Sequence, residues 1–266
     1  MVVAGERTKP DQTWRDAGTL LCERCGYVID GLDHTGACPE CGVPIASSLP
    51  SRRTGTPWQR SPRIRTLPGT WWATLVNPIG TLDRMICSID GAGGLARRTN
   101  ASASMVGSFA LWLPAITLVP GSSDAPAVLL AWCLLFLGTA TGLWGVFHAL
   151  TWVEAAGLGA IAKTRGFRLG AAHRKAITAH GCAGWVLGAA LFFLTSLGLH
   201  LFDGNPAARG AARSSGDLLA AAVDGGWLGW GLRVGAALIG FLFFETFAYI
   251  GLRRLRFANV NTDRTD

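Results

Sequence analysis

Cys22-Glu-Arg-Cys25 and Cys38-Pro-Glu-Cys41 are two CxxC pairs separated by twelve residues. Four thiolates at about 2.3 Å close a tetrahedron around Zn2+, and a shell of four cysteines leaves no position for water or substrate, so one structural zinc ion is the expected cofactor. An iron site of rubredoxin type uses similar knuckles, and two disulfides are the third arrangement open to these thiols. Disulfides need an oxidising compartment, against which the topology read below argues.

Each pair is followed by glycine, Gly26 and Gly42. A metal knuckle turns the chain so tightly that the residue after its second Cys takes positive φ, which glycine adopts without penalty. Tyr27, Val28 and Ile29, then Asp30 and Gly31, predict a strand entering a β-hairpin that returns to Cys38. On these residues, segment 20–45 resembles a short zinc ribbon of the CxxCG…CPxCG kind. His34, in the connecting loop, reads as a solvated residue and not a fifth ligand. Between 20 and 44 the acids Glu23, Asp30, Asp33 and Glu40 face the single base Arg24, and zinc with four thiolates adds about two negative charges. Nucleic acid is therefore excluded as a partner of the ribbon. A cytoplasmic protein partner, or the folding of a unit too small to have its own core, accounts for the ribbon better.

The elements that must position this ribbon belong to a membrane protein. The chain has 266 residues, 50% hydrophobic and 15% charged, with eleven Trp and 35 Gly, too apolar a balance for an ordinary soluble domain. Residues 1–19 hold Glu6, Arg7, Lys9, Asp11, Arg15 and Asp16; they lack the apolar run of a signal peptide and read as a disordered N-terminus. Segment 46–70 carries Pro50, Pro57, Pro62 and Pro68, with Arg52, Arg53, Arg60, Arg63 and Arg65 and no acid. It reads as an extended basic linker whose arginines either meet lipid headgroups or merely enforce topology. In 71–99, Trp71 and Trp72 lead to Asn77-Pro78, a helix cap and first position, and to Ile79, Leu82, Ile86 and Ile89 on one face. That pattern predicts an amphipathic helix lying at the headgroup boundary.

Residues 100–252 contain four apolar stretches, 101–120, 126–152, 177–202 and 227–252, against the roughly 20 residues needed to cross a bilayer. The first is the weakest, diluted by Ser102, Ser104 and Ser108. Twelve Lys and Arg precede the first stretch, none lies in 119–125, and five lie in 153–176. The tail 253–266 is basic again. By the positive-inside rule both termini are cytoplasmic in a multi-pass protein of the cytoplasmic membrane. The expected fold is mainly α: a four-helix transmembrane bundle preceded by the interfacial helix and the β-hairpin ribbon.

Glu245, His148 and His180 all fall near the inner ends of their helices, and ionisable residues in lipid are costly enough to call for a reason. They predict either a hydrogen-bonded polar cluster holding helices together, or a proton relay or second metal site. Gly138 with Gly142, Gly184 with Gly188, and Gly231 with Gly235 are four apart, suited to close packing within the bundle or in a homo-oligomer. No nucleotide-binding glycine motif, HExxH or GxSxG is present, so no catalytic residue is named and the chain reads as a non-enzyme. Two functions follow: a scaffold, sensor or assembly factor whose ribbon docks a cytoplasmic protein, or a small-solute or ion transporter using Glu245 and the two histidines. A polar cytoplasmic N-terminal region before a compact bundle is weakly similar to the Yip-family trafficking proteins.

Overall fold

Prolines open the three short helices that precede the long ones in the computed structural model, which describes residues 19–87, 92–116, 125–204 and 226–259. Its helices are α1 (Pro57–Arg60), α2 (Leu67–Val76), α3 (Pro78–Arg84), α4 (Ala92–Ile116), α5 (Ala125–Arg165), α6 (Ala171–Gly181), α7 (Ala183–Gly204) and α8 (Trp227–Arg254). Asn77 caps α3 as expected, its side chain accepting the Gly80 N–H at 2.8 Å. The N-terminal segment before Thr19, Ile89, the connections bearing Arg209 and Arg213, and the tail beyond Asn259 lie outside the described residues.

Three helical stretches are long and apolar enough to cross a membrane: Ala127–Arg165, Ala171–Leu201 and Trp227–Arg254. The count of four expected from the sequence falls to three by this measure. The first stretch belongs to α4, which opens on a polar turn with Arg97, Arg98, Thr99 and Asn100. Its serines turn inward: Ser104 donates to Asn100 O, and Ser108 to Phe136 O on α5. The other helices run further than their apolar stretches. α5 continues through the alanine-rich 153–165 and stops at Gly166, which takes φ +69° as a left-handed C-terminal glycine. α6 starts at Ala171 and meets α7 at Cys182, where Trp185 N bonds Cys182 O three residues back. Only 6% of the apolar window of α5 is buried, against 39% and 33% in the other two, so α5 turns its leucines outward.

α7 and α8 cross where Gly184 and Gly188 meet Gly240. A Cβ on Gly240 would lie 2.5 Å from Gly184 O and 2.6 Å from Gly188 Cα. Both are backbone atoms of the facing helix and cannot swing aside. Gly240→Ala is therefore expected to cost about 1–3 kcal/mol by overpacking. Gly138→Ala has nothing within 4 Å, so it is expected to be neutral or slightly stabilising. Paired thermal melts of the two variants in detergent check this contrast. Of the predicted small-residue pairs, 184 and 188 serve the internal bundle, while Gly138, Gly142, Gly231 and Gly235 have no neighbour within 4 Å of a would-be Cβ.

The basic segment 46–70 differs most from expectation. It is folded onto the helices, through 3-10 turns at Ile45–Ser48, Pro50–Arg52 and Ile64–Thr66, and through α1. Thr56 opens α1 with a capping box to Gln59. Trp58 is 1% exposed, packed with Leu67, Leu95, Cys182 and Phe244 and under the Arg98 guanidinium at 4.9 Å. The amphipathic helix is also shorter than predicted, since α3 stops at Arg84 and Met85 is extended. Leu82 and Ile86 are buried in protein while Trp72 and Ile79 are exposed. Of the apolar face that the sequence assigned to the headgroup boundary, Leu82 lies in one buried cluster with Leu158 of α5, Ile177 of α6 and Leu252 of α8, while Ile79 stays exposed.

Cys87 sits in that cluster with Leu82, Leu158 and Leu252, 1% exposed. Burial pushes its thiol up to about 11, partly opposed by Arg53 and aided by Glu23. A folded-state value above the unfolded value of about 9 means that the protonated thiol favours the fold. This contribution is full below about pH 9 and fades as pH rises through about 11, for a total of about 2–3 kcal/mol. The native chain is expected to lose more thermal stability than Cys87→Ala between about pH 8 and about pH 10.5.

Candidate metal centre

The two knuckles form locally and in the same way. Gly26 N bonds Cys22 O and Gly42 N bonds Cys38 O, with Gly26 at φ +82° and Gly42 at φ +70°. Each glycine thus takes the conformation the spacing requires. The expected β-hairpin is absent among the described residues. Instead, each knuckle closes on itself by an isolated bridge, Leu21 to Val28 and Ala37 to Pro44. The reason lies in the connection: Leu32 N bonds Ile29 O, Gly36 N bonds Asp33 O, and the Asp33 carboxylate accepts from Thr35. These consecutive turns consume the residues that a returning strand would use.

The knuckles bring Cys22, Cys25, Cys38 and Cys41 together with all four sulfurs within 4.8 Å. Cys22 Sγ to Cys41 Sγ is 3.5 Å and Cys25 Sγ to Cys38 Sγ 3.7 Å. A tetrahedron with arms of about 2.3 Å has edges of about 3.8 Å, whereas a disulfide needs about 2.05 Å. The donor set therefore fits a structural metal ion. The thiols are also electrostatically split. Burial pushes Cys22 up, but backbone N–H groups of Cys25 and Arg24 outweigh it and hold the thiol near about 7. Burial and the neighbouring sulfurs push Cys25 up to about 12. Four sulfurs this close cannot all ionise without a cation between them.

The ribbon is clamped to the helices by residues from both ends of the chain. Asn259 is 1% exposed; its Oδ1 accepts from Leu21 N, and its Nδ2 donates to Leu21 O and Ser48 O. One side chain thus pairs with Leu21 as a neighbouring strand would. Arg53 donates from Nη2 to both Glu23 oxygens at 2.9 Å, and from Nη1 to Leu82 O and Met85 O. Arg256 donates to Arg24 O, Arg168 to Thr19 O, and the Phe257 ring lies against Gly26. None of this was foreseen from the sequence, which had 253–266 as a basic tail; the Thr56-x-x-Gln59 capping signature, which that reading passed over, is a local signal that part of 46–70 is ordered.

Of the arginines assigned to lipid headgroups, Arg52, Arg60, Arg63 and Arg65 are exposed, whereas Arg53 is turned inward. The intramembrane trio is not assembled. His180 Nδ1 donates to Ala176 O, so its Nε2 accepts from Thr56 Oγ1 at 3.0 Å, tying α6 to segment 46–70. His148 stacks on Trp144 at the surface of α5. Glu245 is half-buried and hydrogen-bonds neither histidine. A cavity of about 430 Å³ between α4, α5, α7 and α8 is walled by Phe147, Trp185, Phe192, Trp230 and Phe241, with no ionisable side chain in its lining.

No family model, curated protein or solved structure matches the chain, so the similarity to Yip-family proteins has nothing behind it beyond layout.

Proposed function

We propose that this chain is a non-enzymatic integral membrane scaffold, sensor or assembly factor that holds a structural zinc ribbon rigidly on the cytoplasmic end of its helices and presents it to a protein partner. The observation that carries this reading is the clamp around the four-sulfur cluster. A ribbon held by Asn259, Glu23 with Arg53, and Arg256 is fixed relative to the bundle. The ribbon still exposes Tyr27 at 39% and Val28 at 40%, and its acids Asp30, Asp33 and Glu40 are exposed as well. An exposed apolar pair on an acidic ribbon suits a partner with an apolar contact and basic surroundings.

In this reading α4 is the fourth crossing, packed between α5 and α7, and both termini are cytoplasmic. The zinc identity rests on four thiolates and a cytoplasmic setting. The transporter reading loses its support because Glu245, His148 and His180 do not converge. The test places a photo-crosslinking amino acid at Val28 in cells. One discrete adduct, lost on Tyr27→Asp with metal content unchanged, supports the proposal. Absence of any adduct at Val28 overturns the docking role and leaves the ribbon as a structural cap. A reporter fused at Asp266 and found outside the cytoplasm overturns the topology.

A further inference from the structure

Six arginines from three separate parts of the chain line one pocket of about 380 Å³ beneath the ribbon: Arg24, Arg52, Arg53, Arg253, Arg254 and Arg256. Only two acids line it, Glu23 and Asp83. Glu23 is matched by buried Arg53, and Asp83 by Arg254 in a two-point pair at 2.7 and 2.9 Å. Arg24, Arg52, Arg253 and Arg256 are left without an acid in the pocket. The adjacent zinc site, with its four thiolates, supplies about two negative charges, which still leaves the pocket positive by about two.

Three of these four arginines are held in place by neutral partners. Arg52 donates to Ser47 O, Arg253 to Tyr249 Oη, and Arg256 to Arg24 O while lying over the Phe257 ring. Each guanidinium has five N–H donors, so most remain available, and they are pre-positioned at little further entropy cost. Arg253 and Arg254 end α8, so the pocket lies where an apolar helix leaves the hydrocarbon, at headgroup level.

We propose that this pocket is a binding site for a phosphate-bearing anion. Arginines from the ribbon, the 46–53 turns and the end of α8 border one pocket, and several forked guanidiniums suit the spread oxygens of a phosphate better than a single planar carboxylate. The volume suits a diphosphate or a phosphorylated headgroup. The anion comes either from an anionic phospholipid entering from the bilayer or from a soluble phosphorylated compound. The inference is independent of whether the ribbon docks a protein.

The test uses the full chain in phosphatidylcholine nanodiscs, titrated calorimetrically with inorganic pyrophosphate. Arg52→Gln with Arg253→Gln removes two pocket charges whose bonds are local, and Arg63→Gln with Arg65→Gln removes two exposed charges elsewhere. Zinc content and thermal melts establish that both variants are folded. The pocket variant is expected to bind about tenfold or more weakly, the other variant to bind as the native chain does. Pyrophosphate binding that falls in discs containing phosphatidic acid identifies the headgroup as occupant; binding unaffected by that lipid identifies a soluble one. No binding by the native chain, or equal weakening in both variants, overturns the proposal.

Discussion

The Cys38→Ser, Cys41→Ser chain is expected to purify without metal where the native chain carries about one zinc, and its residues 20–45 are expected to lose amide protection. The core cluster of the ribbon is small: Cys22, Ile29, Cys38 and Ile45 are buried in it, with Leu20, Leu32 and Cys41 partly buried against it. Such a unit cannot fold on apolar burial alone. Metal binding worth roughly 10–16 kcal/mol in comparable zinc peptides is then most of its folding free energy. The helices keep their own cores around Phe247 and Phe244, so far-UV circular dichroism should change little while hydrogen exchange in the ribbon rises to the unprotected rate. Elemental analysis and exchange mass spectrometry read both. Metal absent from the native chain would refute the site, and metal retained by the double variant would move it elsewhere. The pH dependence has a definite sign. Burial pushes Cys25 up, and Cys41 is raised by burial and Cys22 despite the Val43 amide. Both must shed a proton to bind, so apparent affinity is expected to rise with pH by about tenfold per unit for each, and acid to release the metal.

What the sequence made legible was chemistry enclosed in a short window. Gly26 and Gly42 take positive φ because the knuckle geometry is set within five residues. Asn77 caps α3 for the same reason. The four cysteines converge because two self-contained turns need only meet once. The errors arose where the deciding partner is remote. Averaged over 46–70, four prolines and five arginines look unfolded, yet Trp58 and Arg53 each find a buried site made by α3, α4, α6 or α8. Leu21 and Asn259 are 238 residues apart, and no periodicity announces their pairing. The amphipathic stripe divides, with Leu82 and Ile86 buried in protein and Ile79 exposed, and the sequence could not separate them because a protein surface and a headgroup layer bury the same residues. His180 shows the limit for ionisable groups. Depth in the helix predicted a polar partner, and one exists, but it is Thr56 from the supposed linker and not Glu245.

Arg53→Ala is expected to destabilise the chain by about 3–5 kcal/mol, the range for removing one partner of a buried ion pair. The Arg53 side chain is 6% exposed and that of Glu23 18%. Removing the guanidinium leaves a shielded carboxylate that, among the described residues, keeps the Asn259 N–H at 3.3 Å as a donor, and deprives Leu82 O and Met85 O at the end of α3 of their shared donor. The Leu82 and Met85 carbonyls lie at or just past the C-terminus of that helix, where the macrodipole favours a cation. Arg53 therefore joins three things at once: the first zinc knuckle, α3, and through Glu23 the C-terminal segment. Lysine cannot replace it, since four acceptors are served by two nitrogens of a planar fork, so Arg53→Lys is expected to recover less than half of the loss. Replacing both partners, Glu23→Gln with Arg53→Met, is expected to cost less than Arg53→Ala, because no uncompensated charge remains. Thermal melts and ribbon hydrogen exchange measured on the same set separate two cases. If the ribbon loosens in Arg53→Ala while the helices melt as before, the clamp holds only the ribbon. If both fall together, the ribbon and the helices are one cooperative unit, the outcome expected of a buried Arg53 that bonds both Glu23 of the ribbon and the end of α3.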